Sequence, residues 1–426
     1  DVLGVAPLGA SSGDGEYFPV DHDEYVLIKG DSLKPVKGRY EVRITEELSE
    51  VAYLDQVRLI AVDHPASIDI FHNDKWKGPP FPEFRLFGVR KRIYPVKAVD
   101  DNGRDVRSRL MALDKTYAEG FERTMTGVAK MHSLELDFGP QAAPDGKAVL
   151  VMSGWVDWAD GSTFLSVAQE KRGGLTPPYL QVRDERGEWK TVIEDMGMPA
   201  GKPKTIVVDL TGKWLSASRE VRIVTNLCLY WDEIFLSEDT AEPPAVLTDL
   251  AASEAELRFR GFSQNIIHPE RRQPEMFIYG KVMPTSMWNP TPGMYTRYGD
   301  VQELLTEVDD RFVIMGSGDE IRLLFDASAL PPVKEGWRRD FLLKVDGWAK
   351  DRDANTAYSQ TVEPLPYHGM TRYPYGPDEA YPDTPEHRAY LEKYNTRPAL
   401  RLLRPLVGDG TRSGARRDVP YGIGHE

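Results

Sequence analysis

Residues 153–163 read SGWVDWADGST, and residues 345–356 read VDGWAKDRDANT. Each places a Gly-Trp pair at the end of an apolar run and follows it with aspartates and small polar residues. One such stretch says little. A second in the same chain asks whether a whole structural unit is repeated, and the answer decides the fold.

Working outward from the pair, further segments match in the same order. YEVRITEELSEVAYLDQVRLI (40–60) and REVRIVTNLCLYWDEIFLS (219–237) share Glu-Val-Arg-Ile and then Tyr-x-Asp-x-[Val/Ile]-x-Leu, starting at Tyr53 and Tyr230. FRLFGVRKRIYP (84–95) aligns with LRFRGFSQNIIHP (257–269), setting Gly88 and Pro95 against Gly261 and Pro269. Asp105, Val106 and Leu110 align with Asp300, Val301 and Leu305, and LELDFG (134–139) with IRLLFD (321–326). The Gly-Trp pairs close the series. Collinear matches of this kind predict two copies of one β-rich unit.

Between these anchors run short stretches rich in Val, Ile, Leu, Tyr and Trp, with period-two alternation and with Gly, Pro, Asp and Asn at the breaks. That pattern predicts an all-β chain of tandem β-sandwich units, jelly-roll or galactose-binding-like, with few short helices. One helix is expected in YPDTPEHRAYLEKYN, capped by Asp383 or Thr384, with Pro385 in its first turn and Asn395 at its end. The expected division is an N-terminal β segment, 1–75, closing or packing on the first unit. The first unit then spans 76–240 and the second 255–405, with EDTAEPPAVLTDLAAS as the linker and 406–426 as a flexible tail.

The chain has 426 residues, enough for two or three domains with cores of their own. It carries 53 Lys+Arg against 67 Asp+Glu, a net charge of −14, so nucleic acid is not an expected partner. Cys228 is the single cysteine, which excludes an internal disulfide and any cysteine-rich metal site. No apolar run approaches the roughly 20 residues of a membrane-spanning helix. The chain begins with Asp1 instead of Met, and the expectation is a processed protein or a piece of a longer one.

Candidate site residues fall in three groups. Asp351, Asp353 and Asn355, with Asp346 upstream, alternate oxygen ligands as a calcium loop does, so calcium is the cofactor this loop would take; the bland alternative is a solvated turn. Asp157 and Asp160 form a sparser version. Trp155 and Trp348 are core fillers or sugar-stacking platforms. In VEPLPYHGMTRYPYGPDEAYPDTPEHRAY, Tyr367, Tyr373, Tyr375, Tyr381 and Tyr390 stand among prolines, as a binding surface or as a loop covering an open face of the second unit. Eight histidines are scattered with no His-x-x-x-His pair, which gives a metal-hydrolase reading no support. Nucleophile-elbow, phosphate-loop and dinucleotide signatures are missing too, and catalytic residues cannot be named. The adjacent Asp232 and Glu233 are read as a turn or strand-edge pair before a glycosidase pair.

At LYWDEIFLSE (229–238), SMWNPTPGMYTRYGDV (286–301) and VDGWAKDRDANTAYSQTVEPLPYHGM (345–370), the chain resembles the C-terminal region of large bacterial exported proteins that carry FG-GAP propeller repeats and ASPIC/UnbV-type modules. The resemblance runs over about residues 1–405. It implies a periplasmic, cell-surface or secreted multi-domain protein used for binding or assembly, with calcium common in the propeller part. The propeller's Asp-x-Asp-x-Asp-Gly repeats do not occur in this chain, and the resemblance assigns no site residue. Three functions are then expected, in order: a non-enzymatic exported module binding a protein or glycan partner within a larger assembly; a carbohydrate-active enzyme or its accessory carbohydrate-binding domain; and a structural subunit of a membrane-associated complex.

Overall fold

A computed structural model of the protein describes residues 22–399, apart from 79, 158–160, 170–173, 201–202, 271–273, 284–287 and 357, and three two-residue strands nearer the start. The expected tail, 406–426, lies outside the described residues. The fold is all-β; among the described residues the α-helices are Gly161–Gln169 and Pro385–Lys393, with single 3-10 turns at Arg107–Leu110, Gln302–Leu305 and Ala327–Ala329. The second helix starts as the sequence predicts: the Thr384 side chain accepts the His387 amide and Pro385 opens the first turn.

Four of the sheets account for most of the described strands, and they share two main cores, two sheets to each. In the first unit the strands Lys204–Asp209, Val149–Val156 and Leu229–Ser237 form one sheet. The facing sheet is built on Val128–Asp137, Glu220–Leu227 and Tyr179–Arg183. Leu150, Met152, Ile206, Ile234 and Leu236 from the one side meet Leu134, Leu136, Leu180, Val221 and Ile223 from the other in a single core. The second unit repeats the plan. Asp23–Ile28, Trp337–Asp351 and Glu50–Pro65 stand for the three-stranded sheet, and Arg39–Thr45, Asp319–Asp326 and Glu254–Phe259 for its partner. Leu54, Leu59, Phe341 and Leu343 close on Leu257, Ile321, Leu323 and Phe325. Each such side chain, removed from water, contributes about 1.5–3 kcal/mol of hydrophobic stabilisation.

Residues 1–75, expected to close or pack on the first unit, instead give the second unit three of its strands. Tyr40 to Thr45 pair with Glu320 to Phe325, and Glu50 to Pro65 pair along the whole of Trp337–Asp351. The chain therefore starts the second unit, builds the first between about residues 69 and 237, and returns. Val246–Ala251, within the stretch read as a linker, is a strand pairing with Arg58 to Asp63. The repeat holds, but one anchor shifts. Ile93 bridges Leu236 where Leu250 pairs with Leu59, so 92–100 corresponds to 249–257, and Gly88 is not the equivalent of Gly261.

The Gly-Trp pair and the Tyr-x-Asp pattern are the two sides of one feature. In the first unit Ser153 pairs with Glu233 and Gly154 with Trp231, so Asp232 is an extra residue in its strand. In the second, Asp346 pairs with Gln56 and Gly347 with Leu54, so Asp55 is extra. Each is a β-bulge, which turns the bulged side chain aside. Asp232 accepts the amides of Asp114 and Lys115 at 3.1 and 3.0 Å; Asp55 accepts those of Asp309 and Asp310 at 3.0 and 2.9 Å. Glycine is required opposite the bulge: a Cβ at Gly154 would lie 2.3 Å from the Tyr230 carbonyl oxygen, and one at Gly347 2.1 Å from that of Tyr53. The tryptophans then pack on the sheet's other face, Trp155 stacked on Tyr230 with ring centres 4.2 Å apart.

Candidate functional site

The second bulge carries a cluster that the first lacks. Asp346, 1% exposed, is gripped from both sides: His22 Nδ1 lies 2.6 Å from Oδ2 and His368 Nε2 lies 3.0 Å from Oδ1. His22 precedes the strand Asp23–Ile28, and its carbonyl accepts the Gly347 amide at 2.9 Å. His368 comes from the long loop after Trp337–Asp351. Its Nδ1 and its main-chain N–H both reach Asp310 Oδ1, at 2.6 and 2.8 Å. Asp55 Oδ2 lies 3.6 Å from the same Nδ1, and Asp55 Oδ1 is buried without a hydrogen-bond partner. The two imidazoles meet edge to face at 4.4 Å beside Trp348.

Electrostatics follow from this packing. Burial works against a charged His368 ring, but its hydrogen bonds to the Asp310 and Asp346 carboxylates, and their charges, outweigh it and raise the ring to about 10. Burial would raise Asp346, yet the two histidines hold it at about 2. Burial pushes Asp55 up to about 7, despite the amide that it accepts. Asp346 and His368 thus favour each other's charged forms, beside a carboxyl, Asp55, whose burial favours its protonated form. His22 is 37% exposed and His368 20%, so solvent reaches the cluster from one side.

The expected calcium ligands do not gather. Asp346 faces the histidines midway along its strand, Asp351 ends that strand, and Asp353 and Asn355 lie in the turn beyond. Asp353 Oδ1 accepts the Asn355 amide at 2.7 Å and the Ser162 hydroxyl at 3.0 Å, and Asn355 Nδ2 donates to Ser162 Oγ at 2.8 Å. The polar tails after the two Gly-Trp pairs therefore touch each other. Asp157 is buried and pairs with Arg123 at 2.6 Å, and Asp160 lies outside the described residues.

The aromatic candidates are largely enclosed. Trp155 and Trp348 are 1% and 2% exposed and turn no open face to a sugar. Tyr367 and Tyr373 lie in a buried cluster with Tyr53, Tyr295 and Phe312, and Tyr375 and Tyr381 pack against it. Tyr390 is buried in the second unit's core. Glu233, next to Asp232, is buried under Arg92 and Tyr94, each 2.6 Å from Oε1.

A second feature was not anticipated. Phe262–Ile267 and Pro274–Met283 form a two-stranded arm that pairs with no other strand among the described residues. Its root is fixed: Ser263 donates through N and Oγ to Glu47 at 2.8 and 2.6 Å, and Tyr279 Oη donates to Glu320 at 2.6 Å under the Arg260 guanidinium. Ile266, Ile267, Met276, Tyr279 and Val282 are exposed, Ile267 by 56%.

No family model matches the chain, and neither a curated protein nor a solved structure matches it. No helix among the described residues is long and apolar enough to cross a membrane.

Proposed function

We propose that the chain is a non-enzymatic binding or assembly module that docks a protein through the arm Phe262–Met283. The supporting observation is that arm: an anchored root, open edges, and five exposed apolar or aromatic side chains spread over its two faces. Unpaired strand edges recruit extended segments of other proteins through main-chain hydrogen bonds, and exposed apolar patches mark such surfaces. A protein suits these edges better than a glycan, whose usual stacking partners, Trp155 and Trp348, are enclosed. The extracytoplasmic location of the module rests on the resemblance described above.

A photo-crosslinking residue placed at Ile267, compared with one at the exposed turn residue Arg186, tests this in cells making the full protein. A discrete adduct from position 267 alone, lost on I266T/I267T/M276T substitution, is expected. Equal adducts from both positions, or none from 267, would overturn it.

A further inference from the structure

We propose that His22, His368 and Asp346 bind one divalent transition-metal ion of the zinc class, and that Asp310 is the outer carboxylate that orients His368. The site goes beyond the docking function and stands without it. Three donor atoms, two imidazole nitrogens and a carboxylate oxygen, lie within 4.8 Å of one another. In a tetrahedral site, metal–ligand distances near 2.0–2.2 Å put neighbouring donors about 3.3–3.6 Å apart, so the contacts of His368 to Oδ1 at 3.0 Å and of His22 to Oδ2 at 2.6 Å must open by about 0.3–1 Å as an ion replaces the shared protons, within reach of side-chain rotation. Calcium takes six to eight oxygens, and two imidazoles exclude it; zinc, iron, cobalt and nickel accept this set.

The hydrogen bonds around the donors point the same way. A metal-binding histidine commonly donates its other ring N–H to a carboxylate, which fixes the tautomer and frees the opposite lone pair. His368 has that arrangement once its Nε2 proton is released: Nδ1 stays on Asp310, and the Nε2 that now faces Asp346 is the atom an ion would take in place of the proton. Asp310 is itself placed by Asp55, which accepts its amide, and by Tyr381, whose hydroxyl donates to its carbonyl. Asp55, wholly buried, keeps one oxygen free of any partner next to this group.

The first unit supplies an internal control. Where Asp346 pairs with Asp23, Ser153 pairs with Thr205, and their hydroxyls hydrogen-bond at 2.8 Å. The position of His22, opposite the bulge glycine, is held there by Lys204, which turns to Glu24 and Asp74 at 2.7 and 2.9 Å. The bulge forms in that unit without a histidine or an acid at these places. The set His22–Asp346–His368 is therefore additional to what the fold requires.

Chelator-treated full-length protein, titrated with Co²⁺ and followed by its visible d–d bands, then competed with Zn²⁺, tests the proposal. One saturable equivalent displaced by zinc is expected. His22→Ala, at the exposed edge of the cluster, should weaken binding at least about 100-fold, Asp310→Asn about 10–100-fold, and Asp353→Ala not at all. Circular dichroism and the thermal midpoint check that each variant is folded. If Asp346→Asn or His368→Gln fails to fold, His22→Ala alone decides between the outcomes. Absence of saturable binding by the wild type, unchanged binding by His22→Ala, or an equal loss in Asp55→Asn, which would move the ion to the Asp55–Asp310 side of His368, would each overturn it.

Discussion

The two bulges share a frame and differ in what fills it. Both have a glycine facing a carbonyl, an extra aspartate holding a loop amide, and a tryptophan beside a tyrosine from the paired strand. Ser153, Lys204 and Asp157 in the first unit stand where Asp346, His22 and Lys350 stand in the second. Shared features tell what the strand pairing needs. The differences tell where a function was added, because the first unit closes without them.

The shared frame can be broken in both places. Gly154→Ala and Gly347→Ala each drive a Cβ into a main-chain carbonyl that no side-chain rotation relieves. Each should cost about 4 kcal/mol or prevent folding, and the two losses should be alike. Denaturant midpoints of the two variants measure this; a mild loss in either would show that the two bulges are not equivalent.

The difference can be broken by exchange. Ser153→Asp places a carboxylate at a 2% exposed site whose neighbouring cation, Lys204, is already engaged by Glu24 and Asp74. An unpaired buried charge there should cost about 3 kcal/mol. The same residue type is native at Asp346, where two histidines hold it. A small loss by urea unfolding would mean that water or a rearranged lysine can serve in place of the histidines.

Lys350 sharpens the comparison through pH. It is buried, its ammonium donates to the Val362 carbonyl at 2.9 Å and to Tyr373 Oη at 2.7 Å, and burial lowers it to about 7. Unfolded lysine titrates near 10.4, so between about pH 7 and 10 the unfolded chain holds the extra proton and this residue makes stability rise with pH. Below about pH 7 the ammonium is charged in both states and the slope vanishes. Lys350→Met should flatten the rise between pH 7 and 10 by about 3–4 kcal/mol, while the His368 titration, common to both proteins, drops out of the difference. Unfolding free energies of both proteins at pH 7, 8, 9 and 10 give the result. Parallel curves would mean that Lys350 stays charged.

How much of this was legible in the sequence depends on distance along the chain. The β class and the repeat were, because alternation and motif order are local or collinear properties, and strand register then matches Asp105 with Asp300 and Phe138 with Phe325 as equivalents. Membership of the second unit was not, since nothing in Arg39–Thr45 says whether its partner lies nearby or at Asp319–Asp326. Gly88 matched Gly261 on composition alone, and only pairing exposes the slip. The cluster was hidden for the same reason. His22 and His368 show no local spacing, and Asp346 looked like part of the Asp351–Asn355 run, although the bulge turns it to the histidines. The one available signal was the repeat itself: aligned on Gly-Trp, the second copy has an aspartate where the first has a serine.

The smallest expected effect tests how far the equivalence extends. Asp105 Oδ1 accepts the Arg107 amide at 2.9 Å and Asp300 Oδ1 the Gln302 amide at 3.0 Å, each at the entry to a single helical turn that ends in a buried leucine, Leu110 or Leu305. Both aspartates are exposed, so charge contributes little and the hydrogen bond to the orphan amide is the main term. Asp105→Ala and Asp300→Ala should each lower stability by about 1 kcal/mol, the usual net worth of one such hydrogen bond. The turns lie in different units with separate cores, so the double variant should lose about the sum. A loss well beyond the sum in thermal or urea unfolding would mean that strain at one turn reaches the other across the two units, and the comparison of independent copies would have to give way to one cooperative body.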